Sequence, residues 1–217
     1  SPHHLREDSA RGAGASPATR HSLFGLHRSR STVLRLSALF SLDAFAGGFV
    51  TQSLVAYWFH LRFGVPPAAL GGIFFGANLL AGISALSAAA VARRIGLVRT
   101  MVFTHLPSNI LLMLVPLMPN LPLAIGVLLA RFSISQMDVP TRQSYTMAVV
   151  EPEERSAAAG VTGMARTLGA SLAPVLATPL LASAALMSAP FFIAGGLKVI
   201  YDVLLFRSFQ TLKEKPQ

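Results

Sequence analysis

Hydrophobic residues along this chain do not alternate with polar ones at the period of a half-buried strand. They run on in long blocks separated by short polar breaks. Six blocks emerge, over residues 33–60, 68–92, 99–118, 121–149, 156–181 and 189–208. Four breaks carry turn chemistry or charge: Gly64-Val65-Pro66-Pro67, Arg93-Arg94-Ile95-Gly96, Pro119-Asn120 and Glu151-Pro152-Glu153-Glu154-Arg155. The fifth break, over 182–188, is faint because small apolar residues run almost through it. No Asp, Glu, Lys or Arg falls between Arg62 and Arg93, or between Arg99 and Arg131, and about 20 apolar residues suffice to cross a bilayer. Hydrocarbon leaves no partner for an open sheet edge, and the alternating pattern of a barrel is absent, so the blocks are predicted to be helices. The pattern predicts an all-α, polytopic membrane protein with six transmembrane helices.

Composition sharpens that picture. The 217 residues are 53% hydrophobic and 12% charged, about half the roughly 25% charged share of a soluble domain. The net charge of +9 would suit a nucleic-acid partner, but its placement argues against one. Arg6, Arg11, Arg20, Arg28, Arg30 and Arg35 cluster before or at the start of the first block, and Arg207, Lys213 and Lys215 close the last. That is the distribution of segments facing an anionic leaflet, without the interleaved aromatics of a groove reader. The same bias puts the 93–99 loop, Arg155 and both termini on the cytoplasmic side and leaves Arg62 alone outside. It predicts an integral protein of the plasma membrane, in the setting of a bacterial inner membrane.

Residues 1–30 have no apolar core of a secretory signal and read as a disordered basic cytoplasmic linker. Residues 31–210 read as the helical bundle and 211–217 as a cytoplasmic tail. The opening Ser1, where Met would stand, reads as the mark of a fragment or a processed product. Cysteine is absent, which excludes a disulfide framework and thiolate chemistry. His3 and His4 lack partnering ligands, so no metal site is assigned, and no cofactor motif is present.

Ionisable groups within the blocks are the candidate chemistry, because each costs about 2.5–3.5 kcal/mol at mid-bilayer on insertion scales and must face a cavity or a partner. On the fourth block Arg131, Ser135, Asp138, Arg142 and Tyr145 fall within about 40° of one direction at helical spacing. This polar stripe is predicted to line the bundle interior. Arg131 is assigned to an anionic substrate or a coupling carboxylate. Asp138 and Arg142 are read as an (i, i+4) ion pair near the cytoplasmic end that holds one conformation closed.

Asp43, before Gly47-Gly48 on the first block, pairs in this reading with Arg131 or Arg166, or else serves as a proton carrier. Lys198 and Asp202 read as a self-satisfied (i, i+4) pair. Gln52 and Asn78 are either cavity groups or interhelical glue, and Gln52 can share a cavity with Asp43 only if the glycines bend the helix. His60 and His105 read as structural. Gly72-Ile73-Phe74-Phe75-Gly76, and Gly160, Gly163 and Gly169, predict close helix approach or reflect an Ala- and Gly-rich membrane composition. Pro107, Pro116, Pro140, Pro174 and Pro179 predict kinks or interruptions in three helices.

This pattern resembles the second six-helix half of the major facilitator superfamily. The loop Ala89-Ala90-Val91-Ala92-Arg93-Arg94-Ile95-Gly96-Leu97-Val98-Arg99 is similar to the family signature Gly-x-x-x-Asp-Arg-x-Gly-Arg at Arg94 and Gly96. Ala89, Arg93 and Leu97 depart from it, and the loop lacks the Asp of the family's usual loop-to-helix charge relay. The stretches Gln136-Met137-Asp138-Val139-Pro140-Thr141-Arg142-Gln143 and Glu153-Glu154-Arg155-Ser156-Ala157-Ala158-Ala159-Gly160 also look like bacterial members. The resemblance covers about residues 31–210. It implies a 3+3 inverted repeat that rocks against a second bundle around a central site, with Asp43 and the Arg131 stripe lining that site and Arg93, Arg94, Gly96 and Arg142 at the cytoplasmic gate.

The expectation is a secondary active transporter that moves a small solute by alternating access, with proton-coupled efflux as one form. Its expected partners are the solute, protons, the bilayer and either a missing N-terminal six-helix half or a second copy. An intramembrane enzyme is the competing class. Gly82-Ile83-Ser84-Ala85 faintly resembles a serine motif, but the fourth block holds no His to act as its base, and nucleophile-elbow and zinc-protease motifs are absent. A non-transporting membrane scaffold is the third.

Overall fold

The computed structural model describes residues 26–209. The tail at 211–217, most of the basic linker, and His3 and His4 lie outside the described residues. Within them the chain builds eight α-helices: α1 (Arg30–Gly48), α2 (Gln52–Phe63), α3 (Pro67–Ile95), α4 (Leu97–Leu114), α5 (Leu121–Ser135), α6 (Asp138–Val149), α7 (Arg155–Ala182) and α8 (Ala189–Phe209). Taking α1–α2 and α5–α6 as interrupted single spans, six segments are long and apolar enough to cross a membrane. Each coincides with a predicted block to within a few residues.

The ends follow from local chemistry. The Thr51 side chain accepts the Leu54 N–H at the start of α2, and Gly64 closes that helix with φ of 68°. His60 Nδ1 lies 2.9 Å from the Val65 carbonyl in the same turn, so its structural reading holds. Pro67 occupies the first position of α3, where its missing N–H is not needed. Gly96, with φ of 87°, alone separates α3 from α4, and the Asn120 side chain caps α5 through the Leu123 N–H. The faint fifth break is a turn over 183–188, anchored where Trp58 Nε1 donates to Ser188 Oγ at 3.3 Å.

The prolines differ in effect, and Pro116 lies in the 3₁₀ turn Val115–Leu117 that follows α4. Pro107 lies inside α4, and Pro174 and Pro179 inside α7, with both helices continuous. The true interruptions lie at 49–51 and 136–137. Pro140 sits in the first turn of α6, just past the second of them.

The pairings reveal an internal symmetry. α1 packs on α7, α3 on α5 and α6, α4 on α8, α4 on α5 and α6, and α1 on α8. Exchanging the first span with the fourth, the second with the fifth and the third with the sixth reproduces this set. Three spans per unit is an odd number, so the two units run in opposite directions through the bilayer, as in an inverted repeat. Both interruptions fall in the first span of their unit.

Close approach is confined to few glycines. A Cβ on Gly48 would meet Ala173 Cβ at 2.6 Å and the Ala170 carbonyl at 2.8 Å, and one on Gly169 would collide with the Ser41 carbonyl. Those two residues let α1 and α7 cross. Gly72, Gly160 and Gly163 meet nothing within 4 Å, and Gly76 only Leu129 at 4.0 Å, so among these candidates close packing belongs to Gly169 alone.

Two large apolar clusters fill most of the bundle, and a small third one gathers Leu26, Val33, Val150 and Ala158. Of the two large ones, the first gathers Trp58, Phe59, Phe74, Leu112 and Phe191, the other Phe40, Met101, Tyr145, Tyr201 and Phe209. Outward faces are apolar as well, with Phe75 73%, Leu86 85% and Val175 71% exposed. That inside-out distribution suits lipid or an apolar partner. At the end where α1 begins, the Glu154 carboxylate accepts the backbone N–H groups of His27 (2.6 Å), Arg28 (2.8 Å) and Ser29 (2.9 Å). It thereby satisfies unpaired donors at the start of α1 and ties it to the α6–α7 connection.

Candidate functional site

Between the two large apolar clusters lies a network of ionised and polar side chains from four helices. Asp43 on α1 is its hub. Lys198 Nζ donates to Asp43 Oδ1 at 2.5 Å, and Arg142 Nη1 donates to Asp43 Oδ2 at 3.2 Å and to Asp138 Oδ2 at 2.8 Å. His105 on α4 stands between two carboxylates, its Nε2 3.7 Å from Asp43 Oδ1 and its Nδ1 2.8 Å from Asp202 Oδ1. Asn109, one turn on, donates to Asp202 Oδ2 at 2.9 Å. Asp43, His105, Asn109, Asp138, Arg142, Lys198 and Asp202 are all buried. Removed from water, each charge depends on the others for its solvation.

The network forms one wall of a cavity of about 330 Å³, whose lining includes Asp43, Gly47, Gly48, Thr51, His105, Arg131, Ser135, Gln136, Asp138, Arg142, Arg166 and Lys198. Both helix interruptions open onto it. Unwound backbone at membrane depth is tolerated where it lines such a space, and the Gln136 N–H freed by the second break is taken up by Ser84 Oγ at 3.3 Å. Ser84 is buried and its oxygen serves this backbone group. A second cavity of about 360 Å³, lined by Phe40, Gln143, Thr146 and Thr162 among others, shares Arg142 and Arg166 with the first.

The cavity lining carries four permanent cations, Arg131, Arg142, Arg166 and Lys198, and two carboxylates, Asp43 and Asp138. Arg142 and Lys198 are bound to those carboxylates. Among the described residues, Arg131 and Arg166 have no carboxylate within ion-pair reach, and the Nε of each has no hydrogen-bond partner. Arg131 does lie over the Phe132 ring, 5.2 Å from its centroid. Asp43, His105 and Asp138 bring one potential ligand atom each within 4.8 Å of one another, while the oxygens of Asp43 are engaged by Lys198 and Arg142.

The structure brings Asp43, Arg131, Ser135, Asp138, Arg142 and Arg166 to one cavity. The Asp138–Arg142 pair forms, but it is joined to Asp43 in the bundle centre rather than set apart near an end. Asp43 pairs with Arg142 and Lys198 instead of Arg131 or Arg166. Lys198 and Asp202 do not satisfy each other, since Lys198 turns to α1 and Asp202 to α4. Tyr145, on the same stripe, leaves the cavity and packs edge-on against Phe209 with centroids 5.8 Å apart.

Gln52 and Asn78 meet elsewhere, with Asn78 Nδ2 donating to Gln52 Oε1 at 3.1 Å beside a separate cavity. The break after Gly48 does not swing Gln52 round to Asp43. Arg93 and Arg94 remain exposed at the Gly96 turn. Sequence reasoning missed His105, Asn109, Lys198 and Asp202 as members of the network. Their signal was present: two (i, i+4) polar pairs on otherwise apolar helices, at depths where each polar group requires a partner.

No family model matches the chain, and no solved structure matches it. It is similar to an uncharacterized membrane protein of Saccharomyces cerevisiae, at 29% identity over 176 residues, covering 81% of this chain and 39% of that protein. The chain thus spans about two fifths of the length of the relative it matches.

Proposed function

We propose that this bundle is one half of a secondary active transporter of the major facilitator type, moving a small solute across the membrane by alternating access. The observation that carries the reading is the central cavity, bordered by both helix interruptions and lined by charged groups at membrane depth. A scaffold has no use for such groups, each of which is costly to keep there. The inverted repeat supports the reading too, because in transporters built this way the solute site lies near the midplane where the broken helices meet. The apolar outward faces of α3 and α7 offer a surface to the second bundle that alternating access requires, supplied by a further six-helix half or by a second copy. Protons are the coupling ion in this proposal, and Asp43 takes one up only in a conformation that parts it from Lys198 and Arg142, because both cations hold it ionised here. The basic residues at 30, 35, 93, 94, 99, 155 and 207 all fall at the end of the bundle where α1 starts, which supports cytoplasmic termini.

The test is flux. Full-length protein in proteoliposomes is assayed with a panel of labelled small solutes, with and without an imposed proton gradient. Arg131→Ala should weaken the apparent affinity for the carried solute about tenfold to a hundredfold, the worth of a lost charge-assisted hydrogen bond. Flux and affinity that survive Arg131→Ala unchanged would remove this residue from the site.

A further inference from the structure

Resting on that reading, we infer that the solute is a small organic or inorganic dianion, and that Arg131 and Arg166 are the residues that hold it. Charge balance is the first ground. Four permanent cations line the cavity and only two carboxylates do. Those carboxylates pair with Arg142 and Lys198 at 2.5–3.2 Å, Asp138 through Oδ2 alone with its Oδ1 unpartnered, so these two cations are neutralised by the protein itself. Asp202 lies behind the wall, held by His105 and Asn109, and does not reach Arg131 or Arg166. Two guanidinium groups are left over.

A charge withdrawn from bulk water without a counter-ion is costly for a fold to hold. Two half-buried ones bordering one space of about 330 Å³, at membrane depth, call for negative charge from outside the chain. A chloride ion would supply one charge and leave most of that volume empty. A dicarboxylate or a phosphate supplies both charges in compact form, together with the planar or forked acceptors that a guanidinium binds in bidentate fashion.

The side-chain donors agree with this assignment. The Nε atoms of Arg131 and Arg166 have no partner among the described residues, and Ser135 Oγ, buried in the same lining, has none either. Arg166 also lines the second cavity, with Gln143, Thr146 and Thr162 beyond it. It is therefore placed to keep hold of an anion as it passes between the two spaces. Arg142 borders both cavities as well, but its Nη1 already donates to both Asp43 and Asp138. The specificity-determining pair is Arg131 and Arg166.

The experiment uses full-length protein in nanodiscs of phosphatidylcholine alone, so that no anionic headgroup competes, and in proteoliposomes of the same lipid. The probes are succinate and inorganic phosphate as dianions, lactate as a monoanion, glycerol as a neutral solute and choline as a cation. Succinate or phosphate should raise the thermal unfolding midpoint of the wild type and be carried. Arg166→Gln should raise the KM for the dianion more than tenfold while changing that for lactate less than threefold, narrowing the discrimination between one charge and two. Carriage of choline or glycerol with neither dianion binding overturns the inference and leaves the transporter reading standing. Dianion binding without flux of any probe overturns the transporter reading and leaves the site standing. Stabilisation by added phosphatidic acid, with none by succinate or phosphate, overturns the inference in favour of a structural lipid, as does an Arg166→Gln protein whose dianion KM is unchanged.

Discussion

Asp43 neutralises more than one partner. It is the acceptor for Lys198 at 2.5 Å and for Arg142 at 3.2 Å, and it faces His105 at 3.7 Å. Removing its charge strands cations in a buried site, and breaking a buried pair from one side costs about 3–5 kcal/mol. Asp43→Asn should therefore destabilise the protein by about that amount in detergent unfolding. Lys198→Met introduced beside it should recover a large part of the loss, because Arg142 keeps Asp138. An Asp43→Asn protein as stable as the wild type would mean that the network contributes little to the fold. At this scale the sequence disclosed some contacts and hid others, for a physical reason. Asp138 and Arg142 are one helical turn apart, so periodicity alone sets them side by side. Asp43 and Lys198 are 155 residues apart, and periodicity indicates only that each must face inward, not whom it meets. His105 looked isolated for the same reason, its two carboxylates lying on other helices.

The decisive contact between elements is the crossing of α1 over α7. Dispersion and close backbone approach hold helices together where lipid removes the usual hydrophobic incentive, so a small residue at the contact point sets how near they come. Gly169 places its α-carbon against the Ser41 backbone, and a Cβ there has no room. Gly169→Val should cost about 1–3 kcal/mol or more by overpacking. Gly72→Val, facing open space on α3, should stay within about 0.5 kcal/mol. Equal losses from both substitutions, read from thermal unfolding in the same detergent, would remove the special status of the α1–α7 crossing. The sequence pattern pointed to Gly72 and Gly76 as strongly as to Gly169, because spacing identifies which small residues share a face and says nothing of which face another helix covers. Helix existence was legible from the uncharged runs. The break at 136–137 was not: Pro140 marks its far side, but Pro174 and Pro179 sit in an uninterrupted helix, so proline alone does not locate a break.

The whole molecule is organised by parity. Six crossings return the chain to the side from which it started, and the two units of three are antiparallel because three is odd. This arrangement makes a prediction that depends on neither solute nor mechanism. These 217 residues hold no cysteine, so once any cysteine elsewhere in the full-length protein is replaced by serine, a single introduced cysteine reports topology without background. Arg62 ends the first span near Gly64, and Arg94 ends the second near Gly96; both are exposed. A membrane-impermeant maleimide added to intact cells should label full-length Arg62→Cys and leave Arg94→Cys unlabelled until the membrane is permeabilised. Labelling in the opposite order would keep the six-span bundle and reverse its orientation, contradicting the arginine bias of the loops. Labelling of both positions from the same side would require that α3 does not cross. The pairing of α1 with α7 and of α3 with α5 would then no longer describe two units inverted about a common site, and the central cavity would lose the symmetry on which its reading as a transport path depends.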